Sequence, residues 1–422
     1  MKVSIQVLGS LGDVMPFITT ARRLKALGAD VSILAPQDYT TIILDHGIAA
    51  APPPAFSLAS WNHEAEQRGT LAGPFNFLRD WNEMVVPYVD DIMAHALQAA
   101  EGADAILANG ICAPAKLAAE FSRIPYLLHA LQPVIAPTGK IPCAMVWRPW
   151  QGRLFNRAGY GTVWAAQKMM EQALKPHRTR LGLRDMPPLD HTRTHLDHAL
   201  PRITSVSPAL LPHKPADWKA HDHLLPYPSL DLADPAVLPA DARAFAAAGA
   251  PPLYIGLGSL EAETPDALID AVFSALDTRD LRAFVSAGIA DRLSPQQRAK
   301  HHVIGHVPHA ALFPLCGAIL HHGGAGTLDT ALRAGIPQVI LPQRLDQFWH
   351  AKRLQEIGVA PAPLVSRSVA ADAVGGAFDL VLGPGVQMRA RELAGPLRER
   401  DGARELAELT ISETEHFRRS VK

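Results

Sequence analysis

The sequence lacks most features that would place the chain in a membrane, in a disulfide-rich class or on nucleic acid. It has three cysteines, Cys112, Cys143 and Cys316, with no C-x-x-C pair, so neither a disulfide framework nor a thiolate metal site is expected. No run of about 18 apolar residues occurs, and the N-terminal apolar run VSIQVLG is too short for a secretory signal. Forty basic residues oppose 41 acidic ones, so no bulk charge attracts nucleic acid. These absences predict a cytoplasmic protein.

The order of apolar runs predicts two α/β domains. Residues 1–35 form a β-α-β pattern, with the strand KVSIQVL, the turn GSLGD, a helix that ends at Gly28 and the strand ADVSILAP. Strands that are apolar throughout are typical of a parallel sheet covered on both faces. A proline-dense stretch precedes a second α/β block that starts with PPLYIGLGS. We predict a Rossmann-like domain at 1–210, a linker at 211–250, a second Rossmann-like domain at 251–395 and a C-terminal helix at 396–422.

A dinucleotide-dependent oxidoreductase is an enzyme class that this architecture suggests, and the sequence argues against it. Such an enzyme places G-x-G-x-x-G after the first strand and an acidic residue at the end of the second. Here the first turn is GSLGD and the second strand ends in ILAPQ. Both marks of the class are missing.

The stretch ILHHGGAGTLDTALRA, residues 319–334, places two histidines and three glycines between a strand and a helix. Helix N-termini present unpaired N–H groups and a partial positive charge, and glycines let the backbone approach a phosphate closely. The hydroxyl of Thr327 would either cap the helix or bind a phosphate oxygen. On these residues alone, an anion site and a tight turn around a hydrogen-bonded histidine both remain open.

Two segments carry a family resemblance. One is GHVPHAALFPLCGAILHHGGAGTLDTALRAGIPQVILPQRLDQFWHAKRLQEIGVA, from Gly305 to Ala360, and the other is GSLGDVMP, from Gly9 to Pro16. The first resembles the donor-binding signature of GT-B glycosyltransferases of family 1, and the second resembles the G-S-x-G-D-x-x-P motif of their sterol, rhamnosyl and antibiotic branch. The resemblance implies a GT-B fold, in which two doubly wound Rossmann-like domains face each other across a cleft and the last helix returns to the first domain.

The resemblance also implies a reaction. Enzymes of this branch move a hexosyl group, with inversion, from a UDP- or dTDP-sugar to a hydroxyl of a lipophilic acceptor such as a sterol, a polyketide or a glycolipid. The D-x-D motif with which GT-A transferases hold a metal is missing, so we expect neither a metal nor a cofactor. The alternatives are a sugar-nucleotide epimerase on the same fold and a non-catalytic homologue that binds or activates a transferase. At most peripheral membrane contact is expected, and no nucleic acid.

Carried over residue by residue, the resemblance assigns the donor site to the second domain. The residues that would bind the diphosphate are His322, Gly324, Ala325, Gly326, Thr327, Gly258 and Ser259. Asp346 and Gln347 would bind the sugar hydroxyls, because a carboxylate accepts hydrogen bonds while an amide both donates and accepts. His306 and the backbone of Val307 would hold the base, with an imidazole where the plant enzymes have a tryptophan.

The catalytic base implied by the resemblance is Asp13, at the end of GSLGD, where the plant relatives carry a histidine. A carboxylate with a pKa of about 4 is a weak base, which serves when the anomeric carbon is already cationic as the proton moves. The alternative from the residues alone is that Asp13 caps the first helix. Asn109 stands where the plant enzymes place a supporting aspartate, and Leu11 stands where the branch often has arginine.

The acceptor-pocket candidates are Gly12, Trp61, Phe75, Phe77, Trp81, His129 and Trp147. The stretch from residue 145 to 170 mixes aromatic residues with cations, which suits an acceptor pocket, a membrane surface or an amphipathic helix packed on the domain. The histidines of HTRTHLDH, at 191, 195 and 198, have a spacing that a metal could use, but exposed histidines on a short helix or loop are the plainer interpretation. The sequence leaves the acceptor and the sugar open.

Overall fold

The computed structural model of the chain describes residues 1–57, 81–146, 152–184, 200–261, 264–365 and 369–421. It divides into two compact units, of which unit 1 comprises Met1–Ser229 and Asp401–Lys422 and unit 2 comprises Leu230–Arg400. Each unit has its own parallel sheet and its own hydrophobic core, as an α/β domain requires. Within the described ranges, no helix is long and apolar enough to cross a membrane.

Unit 1 is built on a sheet of seven parallel strands in the order β3-β2-β1-β4-β5-β6-β7. The strands are β1 (Lys2–Gln6), β2 (Asp30–Leu34), β3 (Ala49–Ala50), β4 (Ala105–Asn109), β5 (Tyr126–Ala130), β6 (Arg202–Ser205) and β7 (Asp222–Leu225). The described helices are α1 (Leu11–Ala26), α2 (Thr40–Asp45), α3 (Val89–Ala100), α4 (Ala113–Ser122), α5 (Arg153–Ala173), α6 (Lys175–Arg180) and, from the C-terminal segment, α15 (Gly402–Val421). Two apolar clusters build its core, as the continuously apolar strands predict.

Unit 2 has a sheet of five parallel strands in the order β10-β9-β8-β11-β12. The strands are β8 (Leu253–Ile255), β9 (Ala283–Ser286), β10 (His302–Ile304), β11 (Ala318–His321) and β12 (Gln338–Ile340). The described helices are α7 (Ala240–Ala247), α8 (Asp266–Thr278), α9 (Pro295–Lys300), α10 (His309–Leu312), α11 (Ala325–Ala334), α12 (Gln347–Glu356), α13 (Ala371–Leu382) and α14 (Pro384–Arg398).

In both sheets the strand order reverses beside the first strand of the unit. In unit 1, β1 lies between β2 and β4, and in unit 2, β8 lies between β9 and β11. At such a switch point the loops after two neighbouring strands diverge, and doubly wound folds bind ligands in the crevice that opens there. The loops that border these crevices are those after β1 and β4 in unit 1 and those after β8 and β11 in unit 2.

The C-terminal segment completes unit 1. Helix α15 packs along α1 and contributes Leu406 and Ala407 to the core under β1 and β2. Gly402, the first residue of this helix, lies so close to the backbone of Pro226 that a Cβ there would be 2.3 Å from the Pro226 carbonyl oxygen. Arg23 of α1 pairs with Asp401, with Nε and Oδ2 2.8 Å apart.

Residues 211–250, for which the sequence predicts a linker, divide between the two units. Strand β7 pairs with β6, and a buried ion pair between Arg202 Nε and Asp222 Oδ1, at 2.6 Å, joins the two strands. The boundary between the units falls after Ser229, and α7 belongs to unit 2. The sequence pattern conceals β7 because a four-residue strand among prolines shows no readable period.

Candidate active site

Asp13 lies in the first turn of α1, after the loop that follows β1. Ser10 is the N-cap of this helix, and Asp13 Oδ2 accepts hydrogen bonds from the Ser10 N–H, at 2.8 Å, and from the Ser10 hydroxyl, at 2.9 Å. This is one half of a capping box, so the predicted capping role exists, but from the third helical position. Gly9, at φ +134°, lies against the carboxylate, since a Cβ there would be 2.5 Å from Asp13 Oδ2.

Asn109, at the end of β4, holds the loop after β1 from the other side of the switch point. Its Nδ2 donates to the carbonyl of Leu8 at 2.6 Å, and its Oδ1 accepts from the N–H groups of Leu8, at 3.3 Å, and of Cys112, at 3.2 Å. One side chain therefore binds both backbone groups of Leu8. Asn109 positions the loop that leads to Asp13, a role that the resemblance to the plant enzymes did not indicate.

Asn109→Asp is expected to lower both stability and rate. A carboxylate cannot donate to the Leu8 carbonyl, so that buried oxygen would lose its partner at a cost of about 1–3 kcal/mol. Because the loop before Asp13 would shift, we expect kcat to fall by about tenfold or more. Thermal unfolding and initial rates measure the two effects, and Asn109→Ala, which removes the contacts without adding charge, is the control. An unchanged Tm in Asn109→Asp would contradict the positioning role.

Asp13 also lines a cavity of about 420 Å³ within unit 1. Apolar residues dominate the lining, among them Phe17, Leu131, Val134, Ile135, Met145 and Met170. The side chains that can hydrogen-bond include Asn109, His129, Gln132 and Gln167. A concave apolar pocket with a few polar groups is the usual form of a small-molecule site. The carboxylate of Asp13 thus lies at the wall of a pocket that suits an apolar molecule.

His129, an acceptor-pocket candidate from the sequence, lines this cavity. Its Nε2 lies 2.8 Å from the Ser205 hydroxyl, and its ring meets Phe17 edge-on with centroids 5.2 Å apart. Burial lowers the pKa of His129 to about 3, so the imidazole is neutral at neutral pH. Its Nδ1 is buried and has no hydrogen-bond partner within the described ranges.

Of the other predicted acceptor residues, the two that the structure describes, Trp81 and Gly12, do not line the cavity. Trp81 is 2% exposed and belongs to the hydrophobic core, because its indole fills space under the sheet. Gly12 is exposed in the first turn of α1. Trp61, Phe75, Phe77 and Trp147 fall outside the described residues, as do the histidines of HTRTHLDH. Small residues of α5, including Ala158, Gly161 and Ala165, form part of the wall, and they belong to the stretch 145–170 for which an acceptor pocket is one of the three interpretations from sequence.

In unit 2, the imidazole of His322 lies between two glycines. A Cβ at Gly258 would be 3.0 Å from His322 Cε1, and a Cβ at Gly324 would be 2.6 Å from His322 Nε2. Both positions therefore need glycine if the ring is to stay where it is. Gly324 is the N-cap of α11, so Nε2 lies at a helix N-terminus, where the N–H groups of residues 325–327 have no intrahelical partner.

The electrostatics around His322 favour an anion. Burial, and after it the neighbouring His350, lower the pKa of His322 to about 4, so the free protein carries a neutral ring at neutral pH. The partial positive charge of the α11 N-terminus adds to the N–H donors there. The hydroxyl of Thr327 does not cap α11, so of its two predicted roles only the phosphate contact stays a prediction.

Gly323, at φ +96°, is held by two buried histidines. Its N–H donates to His321 Nδ1 at 3.1 Å, and its carbonyl lies 2.9 Å from His350 Nδ1. His321 Nε2 in turn lies 2.8 Å from Gln338 Oε1, which fixes the tautomer of the ring. His321 is thus the hydrogen-bonded histidine of the tight turn, while His322 faces the helix N-terminus. Of the two interpretations that the sequence left open, the tight turn around a hydrogen-bonded histidine applies to His321, and the anion site at His322 stays a prediction.

Acidification is expected to destabilise unit 2 through His321. Burial lowers its pKa to about 3, below the 6.5 of an exposed histidine. The neutral ring therefore stabilises the fold fully above pH 6.5, and this contribution is lost as the pH falls toward 3, by about 1.4 kcal/mol per unit. His321→Asn keeps an acceptor and removes the titration. Hydrogen exchange of residues 318–342 in urea should show a shallower pH dependence in the variant than in the wild type, and equal slopes would contradict this assignment.

Asp346 and Gln347, predicted to bind the sugar, lie at the start of α12. Gln347 Oε1 accepts from the N–H groups of Gln343, at 2.8 Å, and Arg344, at 2.9 Å, and Nε2 has no hydrogen bond to the described residues. Asp346 Oδ2 lies 3.7 Å from His350 Nδ1, and burial raises the pKa of Asp346. By this geometry the amide would donate to a sugar hydroxyl but not accept from one.

The turn after β8 already holds a carboxylate. Glu261 Oε1 accepts from the N–H groups of Leu257 and Gly258, each at 3.0 Å, and from the hydroxyl of Ser286 at 2.6 Å. The Gly258 N–H, predicted to bind the diphosphate, is therefore engaged within the protein, and a phosphate would reach it only if Glu261 moved. The side chain of Ser259 lies outside what the structure describes. Gly258 serves the site by leaving room for His322.

His306 and Val307, predicted to hold the base, precede α10. His306 is exposed and Val307 is half-buried against the core of unit 2. The half-buried imidazole of His309, the first residue of α10, stacks on Phe313 with centroids 4.6 Å apart and lies 3.2 Å from the Tyr254 hydroxyl. Burial lowers the pKa of His309 to about 4. The base contacts of His306 and Val307 stay predictions.

Comparison with known proteins decides the family. Residues 298–405 match the family described as erythromycin biosynthesis protein CIII-like, C-terminal domain. Over 97% of its length the chain is 31% identical to the vancomycin aglycone glucosyltransferase of Amycolatopsis orientalis, of which it covers 97%. The chain is a family 1 glycosyltransferase. This glycosyltransferase is also 28% identical to the sterol 3-beta-glucosyltransferase UGT80A2 of Arabidopsis thaliana, over 95% of the chain and 64% of that protein.

Solved structures confirm the predicted GT-B fold of the glycosyltransferase. SnogD from Streptomyces nogalater has a TM-score of 0.68 at 20% identity, over 98% of this chain and 99% of its own. The spinosyn rhamnosyltransferase SpnG complexed with thymidine diphosphate has a TM-score of 0.65 at 20% identity, over 97% of this chain and 99% of its own. The predicted family is thus confirmed, and so is the prediction that the chain is an enzyme that transfers a sugar.

Proposed function

We propose that the glycosyltransferase moves a glucose-like hexosyl group, with inversion and without a metal, from a UDP- or dTDP-sugar to a hydroxyl of a lipophilic small molecule. The cavity of unit 1 carries the proposal for the acceptor, because its lining is mostly apolar and Asp13 lies at its wall. An apolar pocket with few polar groups selects an apolar molecule and orients it by its hydroxyl. The similar proteins are named for a sterol and for the vancomycin aglycone, which supports a small-molecule acceptor.

In the proposed reaction Asp13 takes the proton of the acceptor hydroxyl. The acceptor oxygen forms a bond to the anomeric carbon while the bond from that carbon to the diphosphate oxygen breaks, and the electron pair leaves with the diphosphate. Attack from the side opposite the leaving group inverts the configuration. Ser10 holds Oδ2 of Asp13 through two hydrogen bonds, which orients the carboxylate before the acceptor arrives.

Unit 2 supplies the donor site in this proposal. The N-terminus of α11 and the ring of His322 would stabilise the negative charge that develops on the leaving diphosphate. Other transferases stabilise this charge with a divalent cation. Because the helix N-terminus and His322 would take that role here, we expect no metal requirement. The proposed sugar contacts are the carboxylate of Asp346 and Nε2 of Gln347.

Release of nucleoside diphosphate tests the proposal. UDP-glucose and dTDP-glucose would be offered with a panel of hydroxylated sterols, polyketides and glycolipids, with EDTA or with magnesium. We expect acceptor-dependent release that EDTA does not reduce, and NMR of the product should show the inverted anomer. Loss of activity in EDTA would contradict metal independence, and a retained anomer would contradict direct displacement. An altered sugar nucleotide without acceptor would favour an epimerase, and donor binding without release would favour a non-catalytic homologue.

A further inference from the structure

Two apolar side chains stand in solvent at the start of α5. Leu154 is 85% exposed and Phe155 is 71% exposed, which makes them the two most exposed large apolar side chains in the described ranges. The helix begins after Gly152, so the pair lies in its first turn. Single exposed apolar residues are common on soluble proteins, but two adjacent ones at this exposure mark a candidate contact surface.

The pair extends the wall of the cavity onto the surface. Ala158, which lines the cavity, lies one helical turn after Leu154, and residues three and four apart share a face of a helix. Gly161 and Thr162 continue this face into the cavity wall. Ala158, Gly161 and Thr162 are also exposed, so they lie where the cavity opens to solvent. The apolar pair is therefore next to the mouth of the cavity.

Cations surround the pair. Arg153 and Arg157 are exposed on the same two turns of α5, and Lys140 is exposed beside Gly139, whose Cβ position lies 3.2 Å from the Arg153 carbonyl oxygen. The carboxylate of Asp217 accepts hydrogen bonds from the Thr138 hydroxyl and the Gly139 N–H and interacts electrostatically with Arg157, so it offsets part of the charge of that one cation. From residue 140 to 170 the sequence has five basic residues and no acidic one, in a chain of net charge -1. We name Lys140, Arg153, Leu154, Phe155 and Arg157 the α5 tip.

We propose that the α5 tip docks on the surface of an anionic lipid bilayer and that the lipophilic acceptor enters the cavity from that bilayer. Apolar side chains enter the boundary between headgroups and acyl chains, while neighbouring cations bind the anionic headgroups. The α5 tip combines both features beside the opening of an apolar cavity, so a docked enzyme would turn the opening toward the membrane. The docking stands independently of the reaction, whereas the entry of the acceptor rests on the proposed function.

Vesicle binding without donor or acceptor tests the docking. Wild type would be sedimented with phosphatidylcholine vesicles and with vesicles containing phosphatidylglycerol, at low and high salt. We expect binding only to the anionic vesicles, weakened by salt because of screening. Leu154→Gln with Phe155→Gln should lower the partition coefficient at least tenfold, and Arg153→Gln or Arg157→Gln should lower it about fivefold each, which corresponds to about 1 kcal/mol per cation. Leu44→Gln, at a side chain 55% exposed on α2, is the matched control and should change nothing.

Three outcomes would overturn the docking. The first is that the wild-type protein does not bind anionic vesicles. The second is that the double glutamine variant binds them as well as the wild type does. A variant that dissociates an oligomer while vesicle binding persists would assign the α5 tip to a second copy of the chain.

Activity separates the docking from the proposed function. The double glutamine variant should keep wild-type rates on a detergent-dispersed acceptor and lose rate on the same acceptor embedded in anionic vesicles. Equal loss on both would contradict entry from the bilayer. Wild type without transfer to any acceptor would contradict the proposed function while the vesicle result stands.

Discussion

Asp13→Asn is expected to reduce kcat by about 10²- to 10⁴-fold, the range for the loss of a general base. Asparagine has nearly the shape of aspartate, and its Oδ1 can accept the Ser10 N–H that Oδ2 of Asp13 accepts at 2.8 Å. The first turn of α1 should therefore persist, with a cost of at most about 1 kcal/mol. An amide cannot take the proton of the acceptor, so the rate falls while donor affinity and Tm stay near wild type. Single-turnover rates, isothermal titration with the donor and thermal unfolding measure the three quantities.

Ser10→Ala is the matched control for Asp13→Asn. It removes the hydroxyl that donates to Asp13 at 2.9 Å and leaves the carboxylate in place. We expect a stability loss of about 0.5–2 kcal/mol, typical of a lost N-cap, and a fall in kcat far smaller than that of Asp13→Asn, because the Ser10 N–H still holds Oδ2. If Ser10→Ala lowered kcat as far as Asp13→Asn does, Asp13 would act by holding the loop and not by accepting a proton.

Gly324→Ala is expected to weaken binding of the sugar nucleotide by about 10- to 100-fold, as the loss of a charge-assisted hydrogen bond would. The added Cβ would lie 2.6 Å from His322 Nε2, a distance that forces the ring to move. The backbone of Gly324 is at φ -63°, which any residue adopts, so the change tests the space for the ring and not backbone strain. Titration with UDP-glucose and dTDP-glucose would measure the loss.

Two further variants show whether the displaced ring causes this loss. Gly376→Ala, on α13 where the added Cβ meets nothing within 4 Å, should leave donor affinity unchanged. In a His322→Ala background, Gly324→Ala should cost little more, because the ring that it displaces is gone. A full additional loss in that background would mean that the methyl group acts on the helix N-terminus itself and not through His322.

The strand pattern and the glycine-histidine loop were readable because each depends on residues that are adjacent in sequence. Apolar strands such as KVSIQVL predicted the parallel sheets, and the turn at residues 319–334 predicted a helix N-terminus with histidine beside it. The sequence could not say which of the two histidines faces the helix. That depends on Gln338 and His350, which lie on other elements and meet the loop only in the fold.

The cavity was hardest to predict. Its walls combine the β1 loop, the end of β5 and one face of α5, and no local pattern brings these together. Trp81 seemed a pocket residue by type, yet an aromatic side chain serves a core equally well, and burial decides between the two. Glu261 was missed for a similar reason, since a carboxylate that binds two backbone N–H groups looks in the sequence like any surface acid.

The return of α15 to α1 affects how the protein is made. Unit 2 is one continuous stretch, Leu230–Arg400, so its core is complete once that stretch has left the ribosome. Unit 1 is synthesised first, but its core lacks Leu406 and Ala407 until the last helix emerges. During translation the apolar side of α1 therefore stays exposed to solvent until all of unit 2 has been synthesised. The unit that carries Asp13 is begun before unit 2 and completed after it, and in that interval its uncovered apolar surface is prone to aggregation.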